Sequence, residues 1–295
     1  MDNTFKVAWA RALVELCVEH SPRKEFHFDE TAILIFKYYW NQSIFFNLQQ
    51  SPSANRRPEI HGMVLQAISE YQQIRGLQPR TFIEVAQHLD VPTQKISSVL
   101  AQDVCKRFVR LDKRVINTYD FDLKNRIIRV RYPQLIKEHA DILFQLINYR
   151  WTQKLEDIDG SPRIAKKIRG VDREETPKRA SLTKFKTYLD TENPGRICFH
   201  SGRPIADDDI AIDHVIPWSY LYADNLWNLV YVDRTENSSK SNRIPNEATI
   251  ERLESRNTTL LKMLKLQNNH NKHVAELEIA VERDYLKRFW IGCRG

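Results

Sequence analysis

The segment from Ala211 to Arg243 constrains the fold of this chain more than any other part of its sequence. The short apolar run 210–212 ends abruptly in Asp213-His214, and Pro217 with the polar and aromatic residues after it argues against a helix there. The apolar, β-branched run 226–232 predicts a second strand, and the acidic residues within 233–236 predict the start of a helix. The segment therefore predicts a strand, a loop, a strand and a helix.

The polar side chains of this segment suit metal-assisted hydrolysis of a phosphodiester. Asn237 and Lys240 are three residues apart and share a face of the predicted helix, while Asp213-His214 ends the first strand. The Asp213 carboxylate and the Asn237 amide oxygen are hard ligands for one Mg²⁺ or Mn²⁺. His214, next to a ligand, can accept the proton of the attacking water. The alternative is a β-hairpin whose polar residues only form turns.

In residue order and spacing, the segment resembles the HNH, or ββα-metal, nuclease family, over about 197–245. The resemblance implies that Asp213 is a metal ligand, His214 the general base and Asn237 the last ligand. It also implies that Asn228 braces the loop that carries the base and that Lys240 contacts a phosphate or the transition state. The implied reaction is hydrolysis of DNA that leaves a 5′ phosphate, with one strand cut per active site.

The chain departs from the many family members that fold around a zinc ion held by two cysteine pairs. Cys198-Phe199-His200-Ser201 stands where the first pair would be, and 231–234 stands where the second would be. One thiol and one imidazole do not complete a tetrahedral site of four ligands. We therefore expect Mg²⁺ or Mn²⁺ as the cofactor and no structural zinc. The hairpin is instead expected to rest on an aromatic core of Phe199, Trp218, Trp227 and Tyr231.

The net charge of +7 is distributed unevenly. Residues 103–132 hold nine Lys and Arg against four Asp and Glu, and 163–186 hold nine against three. A basic surface beside an acidic metal site suits a polyanion such as double-stranded DNA. The alternative is that these charges are only solvated helix faces. The predicted nucleic-acid contacts are Arg126, Arg129, Arg131, Lys166, Lys167, Arg169, Lys178 and Arg179.

Apolar periodicity predicts a mainly α-helical chain with one small α+β unit. The predicted helices cover 5–17, 29–48, 59–75, about 25 residues after Pro133, 178–189, 250–266 and 274–290. The aromatic residues of the second helix lie on nearly all its sides, which favours a buried core over base stacking. Helices over 81–89 and 93–108, then strands over 114–119 and 126–132, have the order of a winged helix-turn-helix. In that arrangement Gln94, Lys95, Ser97 and Ser98 would face a groove.

The charged segment 163–177, interrupted by Gly170 and Pro177, predicts a hinge. We therefore expect a basic helical domain over 1–160 that binds DNA or a partner, a basic hinge over 161–190, and an HNH nuclease domain with C-terminal helices over 191–295. Four scattered cysteines, no secretory signal and no apolar run near the ~20 residues of a membrane span suggest a cytoplasmic protein.

The layout of a helical front half, a basic hinge and a C-terminal HNH unit is similar to the HNH nucleases of bacterial phage-defence systems, including the nuclease component of Zorya-type systems. That similarity implies action on invading DNA under the control of partner proteins. Two alternatives stay open at this point. One is a non-catalytic DNA- or partner-binding protein, and the other is an HNH nuclease that acts on RNA, since nothing in the segment selects against a 2′ hydroxyl.

Overall fold

A computed structural model describes residues 3–52, 57–111, 114–115, 118–172, 177–235 and 243–294. The chain forms two compact units. The N-terminal unit comprises Met1–Asp159 and Ile164–Pro177, and the C-terminal unit comprises Gly160–Arg163 and Lys178–Gly295. Within the described ranges, no helix combines the length and the apolar character needed to span a membrane.

The N-terminal unit is built mainly from nine helices in its described residues. They are α1 (Phe5–His20), α2 (Phe28–Phe46), α3 (Glu59–Arg75), α4 (Phe82–Val85), α5 (Thr93–Val99), α6 (Cys105–Phe108), α7 (Pro133–Glu138), α8 (Ala140–Glu156) and α9 (Ile164–Asp172). A π-helical turn over Leu100–Val104 joins α5 to α6, so the predicted helix over 93–108 is continuous. The predicted helix after Pro133 is divided at His139, which separates α7 from α8.

A small antiparallel sheet completes the N-terminal unit. Its strands are β1 (Glu25–His27), β4 (Tyr119–Asp122) and β5 (Ile127–Val130), in the order β1-β5-β4. Phe26 pairs with Ile128, and Ile128 also pairs with Phe121. Two shorter strands, β2 (Arg110–Leu111) and β3 (Arg114–Val115), form a separate ladder. The strand predicted over 114–119 is therefore divided between two sheets.

Helix α2 is the centre of the N-terminal core. The aromatic side chains predicted to be buried, Phe36, Tyr38, Tyr39, Trp40, Phe45 and Phe46, are all buried, which confirms that prediction. The helix predicted over 29–48 begins one residue earlier, at Phe28. His27 caps the helix, because its side chain accepts from the backbone N–H of Asp29 while the Glu30 side chain accepts from the N–H of His27.

The predicted groove-facing residues of α5 are not all exposed. Gln94 and Lys95 are exposed, but Ser97 is buried and its hydroxyl donates to Asp29. Ser98 is half-buried. Ser97 is therefore wrongly predicted as groove-facing, because it follows Ile96 on the face of α5 that packs inward.

The three arginines predicted to follow a DNA backbone have partners within the protein. Arg129 pairs with Glu25 at 2.6 Å and Arg131 pairs with Asp120 at 2.9 Å, both on the sheet surface. The guanidinium of Arg126 donates to the carbonyl oxygen of Ser97 at 2.9 Å. The charges of Arg129 and Arg131 are therefore partly offset by carboxylates, and Arg126 forms a hydrogen bond within the protein.

Helix α9 occupies part of the segment predicted as a hinge. Ile164, Ile168 and Val171 lie four and three residues apart, so they share one helix face, and all three are buried in the N-terminal unit. The sequence did not indicate this apolar face, because most of the residues around it are charged. Lys167 lies on the same buried face, with 0% of its surface exposed. The prediction that it contacts a phosphate is therefore wrong, because a buried side chain does not reach DNA.

The C-terminal unit places a two-stranded sheet among helices. Its elements are a 3₁₀ turn (Thr183–Phe185), α10 (Lys186–Glu192), β6 (Ile210–His214), α11 (Trp218–Leu221), a 3₁₀ turn (Leu226–Asn228), β7 (Leu229–Asp233), α12 (Glu247–Leu266), α13 (Lys272–Glu282) and α14 (Tyr285–Arg294). Strands β6 and β7 are antiparallel, with Ile212 opposite Tyr231 and Asp213 opposite Val230. Arg234 and Thr235, the last residues described before 236–242, are helical.

Two local predictions for this unit are wrong. Pro217 does not prevent a helix but precedes the single turn α11, because proline lacks only an N–H that the first helical turn leaves unused. The four aromatic residues predicted as one core are also not all together, because Trp218 lies outside the buried cluster that contains Trp227 and Tyr231 and against which Phe199 packs. Trp227 stacks on Phe289 of α14 at 5.8 Å, whereas Trp218 contacts Tyr222 at 4.8 Å. The core of the unit therefore depends on its C-terminal helices.

Candidate active site

The end of β6 places two adjacent reactive side chains in the C-terminal unit. Asp213 and His214 are the last two residues of the strand and are 8% and 3% exposed. The buried apolar residues Val215 and Ile216 follow, and Pro217 begins the turn to α11. Successive strand residues point to opposite faces, so the carboxylate and the imidazole leave the backbone in different directions.

Asn228 fixes the backbone immediately after His214. Its side-chain oxygen accepts from the backbone N–H of Ile216 at 2.8 Å, and its side-chain nitrogen donates to the carbonyl oxygen of Ile216 at 2.9 Å. Its own carbonyl oxygen accepts from the N–H of Val215 at 2.9 Å. Asn228 is fully buried, so these bonds replace its contacts with water. The chain immediately after Asp213 and His214 is thereby tied to the residue that precedes β7.

His214 is paired with Asp224, a residue that the sequence analysis missed. The Nε2 atom of His214 lies 2.9 Å from Oδ1 of Asp224. Burial opposes ionisation of Asp224, but the hydrogen bond and positive charge of His214, with smaller contributions from Lys184 and Trp218, hold the pKa of Asp224 below its usual value. When His214 is neutral, an ionised Asp224 accepts a hydrogen bond from the protonated Nε2, so Nδ1 is the nitrogen that carries no proton.

A tight turn before β6 brings His200 toward Asp213. The backbone N–H of Phe199 donates to the carbonyl oxygen of Tyr231 at 2.9 Å, which attaches the turn to β7. Gly202, at φ of +70°, closes the turn by donating to the carbonyl oxygen of Cys198 at 2.9 Å. The Nε2 atom of His200 then lies 4.0 Å from Oδ2 of Asp213. No periodicity in the sequence indicates this approach, because the turn depends on pairing with a strand thirty residues later.

Helix α12 donates two side-chain hydrogen bonds to the backbone around Asn228. The Arg256 guanidinium donates to the carbonyl oxygen of Leu229 at 2.5 Å, and the Asn257 amide donates to that of Trp227 at 2.9 Å. Burial lowers the pKa of Arg256 to about 10, although the nearby Glu192 favours its charged form. These two contacts hold the backbone on both sides of Asn228.

Two predicted site residues, Asn237 and Lys240, lie outside the described residues. Among the described residues, no group of three or more His, Cys, Asp or Glu side chains is arranged to hold a metal ion. The structure thus brings Asp213 and His214 together with Asn228, and His200 and Asp224 join them. Lys178 and Arg179 are exposed, with the Arg179 guanidinium 5.2 Å from the centre of the Trp218 ring.

Comparison with protein families shows that residues 198–246 match the model of an HNH endonuclease family. The matched residues include the turn around His200, both strands and the Asp224 loop. This match supports the resemblance predicted from the segment around Asp213-His214. Comparison with curated proteins and with solved structures found no match.

Proposed function

We propose that the C-terminal unit is the catalytic domain of a metal-dependent HNH endonuclease that hydrolyses DNA and cuts one strand per encounter. The observation that carries this proposal is the buried His214, paired with the partly buried Asp224 and directly beside the Asp213 carboxylate, within the residues that match the family model. A turn-forming hairpin with no chemistry has no need of a buried carboxylate and a histidine oriented by a second carboxylate.

His214 acts as the general base. Asp224 holds the imidazole through Nε2 at 2.9 Å, so Nδ1 is the nitrogen that accepts the proton of the attacking water. The Asp224 carboxylate also stabilises the imidazolium that results, as in other catalytic pairs of histidine and carboxylate. Asn228 is a positioning residue, since its two bonds to Ile216 fix the loop behind His214.

Asp213 and Asn237 would hold one Mg²⁺ or Mn²⁺. The donor set fits such an ion, because Asp213 is a buried carboxylate with an imidazole nitrogen 4.0 Å away that lacks a hydrogen-bond partner among the described residues. A divalent ion bound there supplies stabilisation of the negative charge that develops on the phosphate and the departing oxygen. Lys240 would contact a phosphate oxygen of the same substrate.

DNA affinity would come mainly from basic residues outside β6 and β7. Residues 190–245 hold nine Asp and Glu against five Lys and Arg, so this part of the chain repels a duplex on its own. Lys166, Arg169, Lys178 and Arg179 are exposed and remain candidates. The helices α4 and α5, with Gln94 and Lys95 exposed beside the sheet, would serve the N-terminal unit as a winged helix-turn-helix that binds DNA or a partner.

The proposed biological role is defence against foreign DNA under the control of partner proteins. It is supported by the order along the chain of a helical front half and then an HNH unit.

A plasmid assay tests the chemistry. Supercoiled DNA is incubated with the full chain and Mg²⁺ or Mn²⁺, with the His214→Ala variant as the comparison. The wild-type protein is expected to produce nicked circles, and His214→Ala is expected to lose cleavage while keeping its affinity for DNA. Equal cleavage by both proteins, or by neither, would contradict the proposal. Preferential cleavage of a matched RNA oligomer would instead assign RNA as the substrate.

A further inference from the structure

The imidazole of His200 approaches the Asp213 carboxylate without forming a hydrogen bond to it. The two side chains lie 4.0 Å apart between Nε2 and Oδ2, whereas such a bond needs about 2.7–3.2 Å. Nε2 of His200 is also buried with no hydrogen-bond partner in the part of the chain that the structure describes. A buried nitrogen without a partner costs free energy unless a bound group satisfies it.

The position of His200 is fixed by the fold. Phe199, the residue before it, is hydrogen-bonded to Tyr231 of β7, and Tyr231 pairs with Ile212 next to Asp213. The Phe199 ring also packs edge-on against the imidazole, with ring centres 5.4 Å apart. The sheet therefore determines the separation of His200 from Asp213, and the side chain is not a mobile surface histidine.

The separation suits two ligands of one ion. Two atoms bound at about 2.1 Å to one ion lie at most about 4.2 Å apart. The observed 4.0 Å is below that limit, so both atoms can reach the same ion. A hydrogen-bonded structural pair would instead be expected to close below about 3.5 Å.

We propose that His200 is a ligand of the catalytic metal ion, binding through Nε2 beside Asp213. This assignment rests on the proposed metal site and adds a nitrogen donor to the oxygen donor Asp213. An imidazole nitrogen favours first-row transition ions, of which Mn²⁺ is the weakest binder, over Mg²⁺, which prefers oxygen ligands. The site should therefore bind Mn²⁺ considerably more tightly than Mg²⁺. An oxygen-only ligand pair predicted either ion without a preference.

Pulsed electron paramagnetic resonance on the full chain with bound Mn²⁺ and no DNA tests the ligand directly. The wild-type protein is expected to show coupling between Mn²⁺ and a directly bound ¹⁴N nucleus. His200→Asn should lose this coupling, while His214→Ala should keep it, because His214 is not a ligand in this arrangement. His270→Asn changes an exposed histidine of the same unit and serves as the matched control.

Metal affinity provides a second measurement. Titration calorimetry should show Mn²⁺ binding weakened at least about tenfold in His200→Asn, since even groups that only orient a ligand contribute about 10–100-fold. Mg²⁺ affinity should change less, because the asparagine offers an oxygen instead. Circular dichroism melting verifies that the variant folds, and His200→Gln replaces it if His200→Asn does not.

The outcomes separate this assignment from the proposed nuclease activity. Absence of ¹⁴N coupling in wild type, its persistence in His200→Asn or unchanged Mn²⁺ affinity would overturn the role of His200 even if the enzyme cuts DNA. Nitrogen coupling in a protein that cleaves no nucleic acid would instead retain the ligand and contradict the nuclease proposal.

Discussion

At the scale of single residues, Asp224 determines which nitrogen of His214 would accept a proton in the proposed reaction. Replacing Asp224 with asparagine removes the negative charge and allows the amide to bond either tautomer of the imidazole. We expect Asp224→Asn to lower kcat for plasmid nicking by roughly 10²–10⁴-fold, the range of a general-base contribution. Steady-state kinetics should show KM for DNA and the metal requirement nearly unchanged.

The control for this variant is Asp209→Asn, which removes an acidic charge before β6. Asp209 precedes β6 and accepts a hydrogen bond from the backbone N–H of Arg234 at 3.3 Å. A comparable loss of kcat in both variants would indicate a general effect of charge and not a specific pairing with the base.

A second residue, His61, gives the N-terminal unit a dependence on pH. Burial, with a smaller effect of Arg57, lowers the pKa of His61 from 6.5 to about 4. The unfolded chain therefore binds a proton more readily, so the free energy of unfolding should fall as pH decreases from 6.5 toward 4. The shift corresponds to at most about 3 kcal/mol. Denaturant unfolding at several pH values should show a shallower dependence in His61→Gln, and an identical dependence would argue against a buried neutral imidazole.

At the scale of elements, two glycines should respond oppositely to substitution by alanine. Gly202 has φ of +70° in the turn that carries His200, so Gly202→Ala should destabilise the protein by about 1 kcal/mol despite open space around its β-carbon. Gly62 lies within α3, also with open space, so Gly62→Ala should stabilise by about 0.5–1 kcal/mol. Thermal unfolding of both variants distinguishes backbone strain from reduced helix propensity. If both variants are destabilised, steric contact of the added methyl group, and not the backbone φ angle, determines the effect.

The elements that sequence predicted best are those with local boundary signals. The bounds of α3, 59–75, follow from Pro58 before it and Gly76 after it, and the structure confirms them. Both strands of the candidate site were also found, with β7 beginning three residues later than predicted. Local apolar pattern and helix-ending residues are sufficient in such cases.

Contacts between distant residues could not be predicted in the same way. Strand β1 pairs with β5 across about a hundred residues, and His27 caps α2 only because β1 ends there. At the site, Asp213, His214 and Asn228 followed from the motif, but Asp224 and His200 lie in turns whose approach depends on tertiary pairing. Side-chain chemistry in a turn gives no periodic signal.

At the scale of the whole molecule, electrostatic attraction to DNA should depend on the exposed basic residues near the junction of the two units in sequence. We expect replacement of Lys166, Arg169, Lys178 and Arg179 by glutamine to weaken DNA binding and to flatten its salt dependence. Removing one phosphate-binding cation should lower the slope of log affinity against log salt by up to about 0.9. Fluorescence anisotropy at several salt concentrations measures that slope.

A matched variant carries four substitutions to glutamine at exposed positions outside both basic segments. These are Lys137, Lys262, Arg283 and Lys287. It removes the same total charge, so it should keep most of the slope. If both variants flatten the salt dependence equally, the affinity arises from net charge and not from a localised surface.

The buried core of the C-terminal unit extends well beyond the matched segment 198–246, from Phe185 and Leu189 before it to Trp290 after it. In evolutionary terms, a recombination event that moved only the matched segment would transfer its reactive side chains without the apolar surfaces that hold them in place. The segment that could be inherited together with its core is therefore the longer stretch from Lys178 onward. Related proteins that contain the matched segment should share its flanking helices as well.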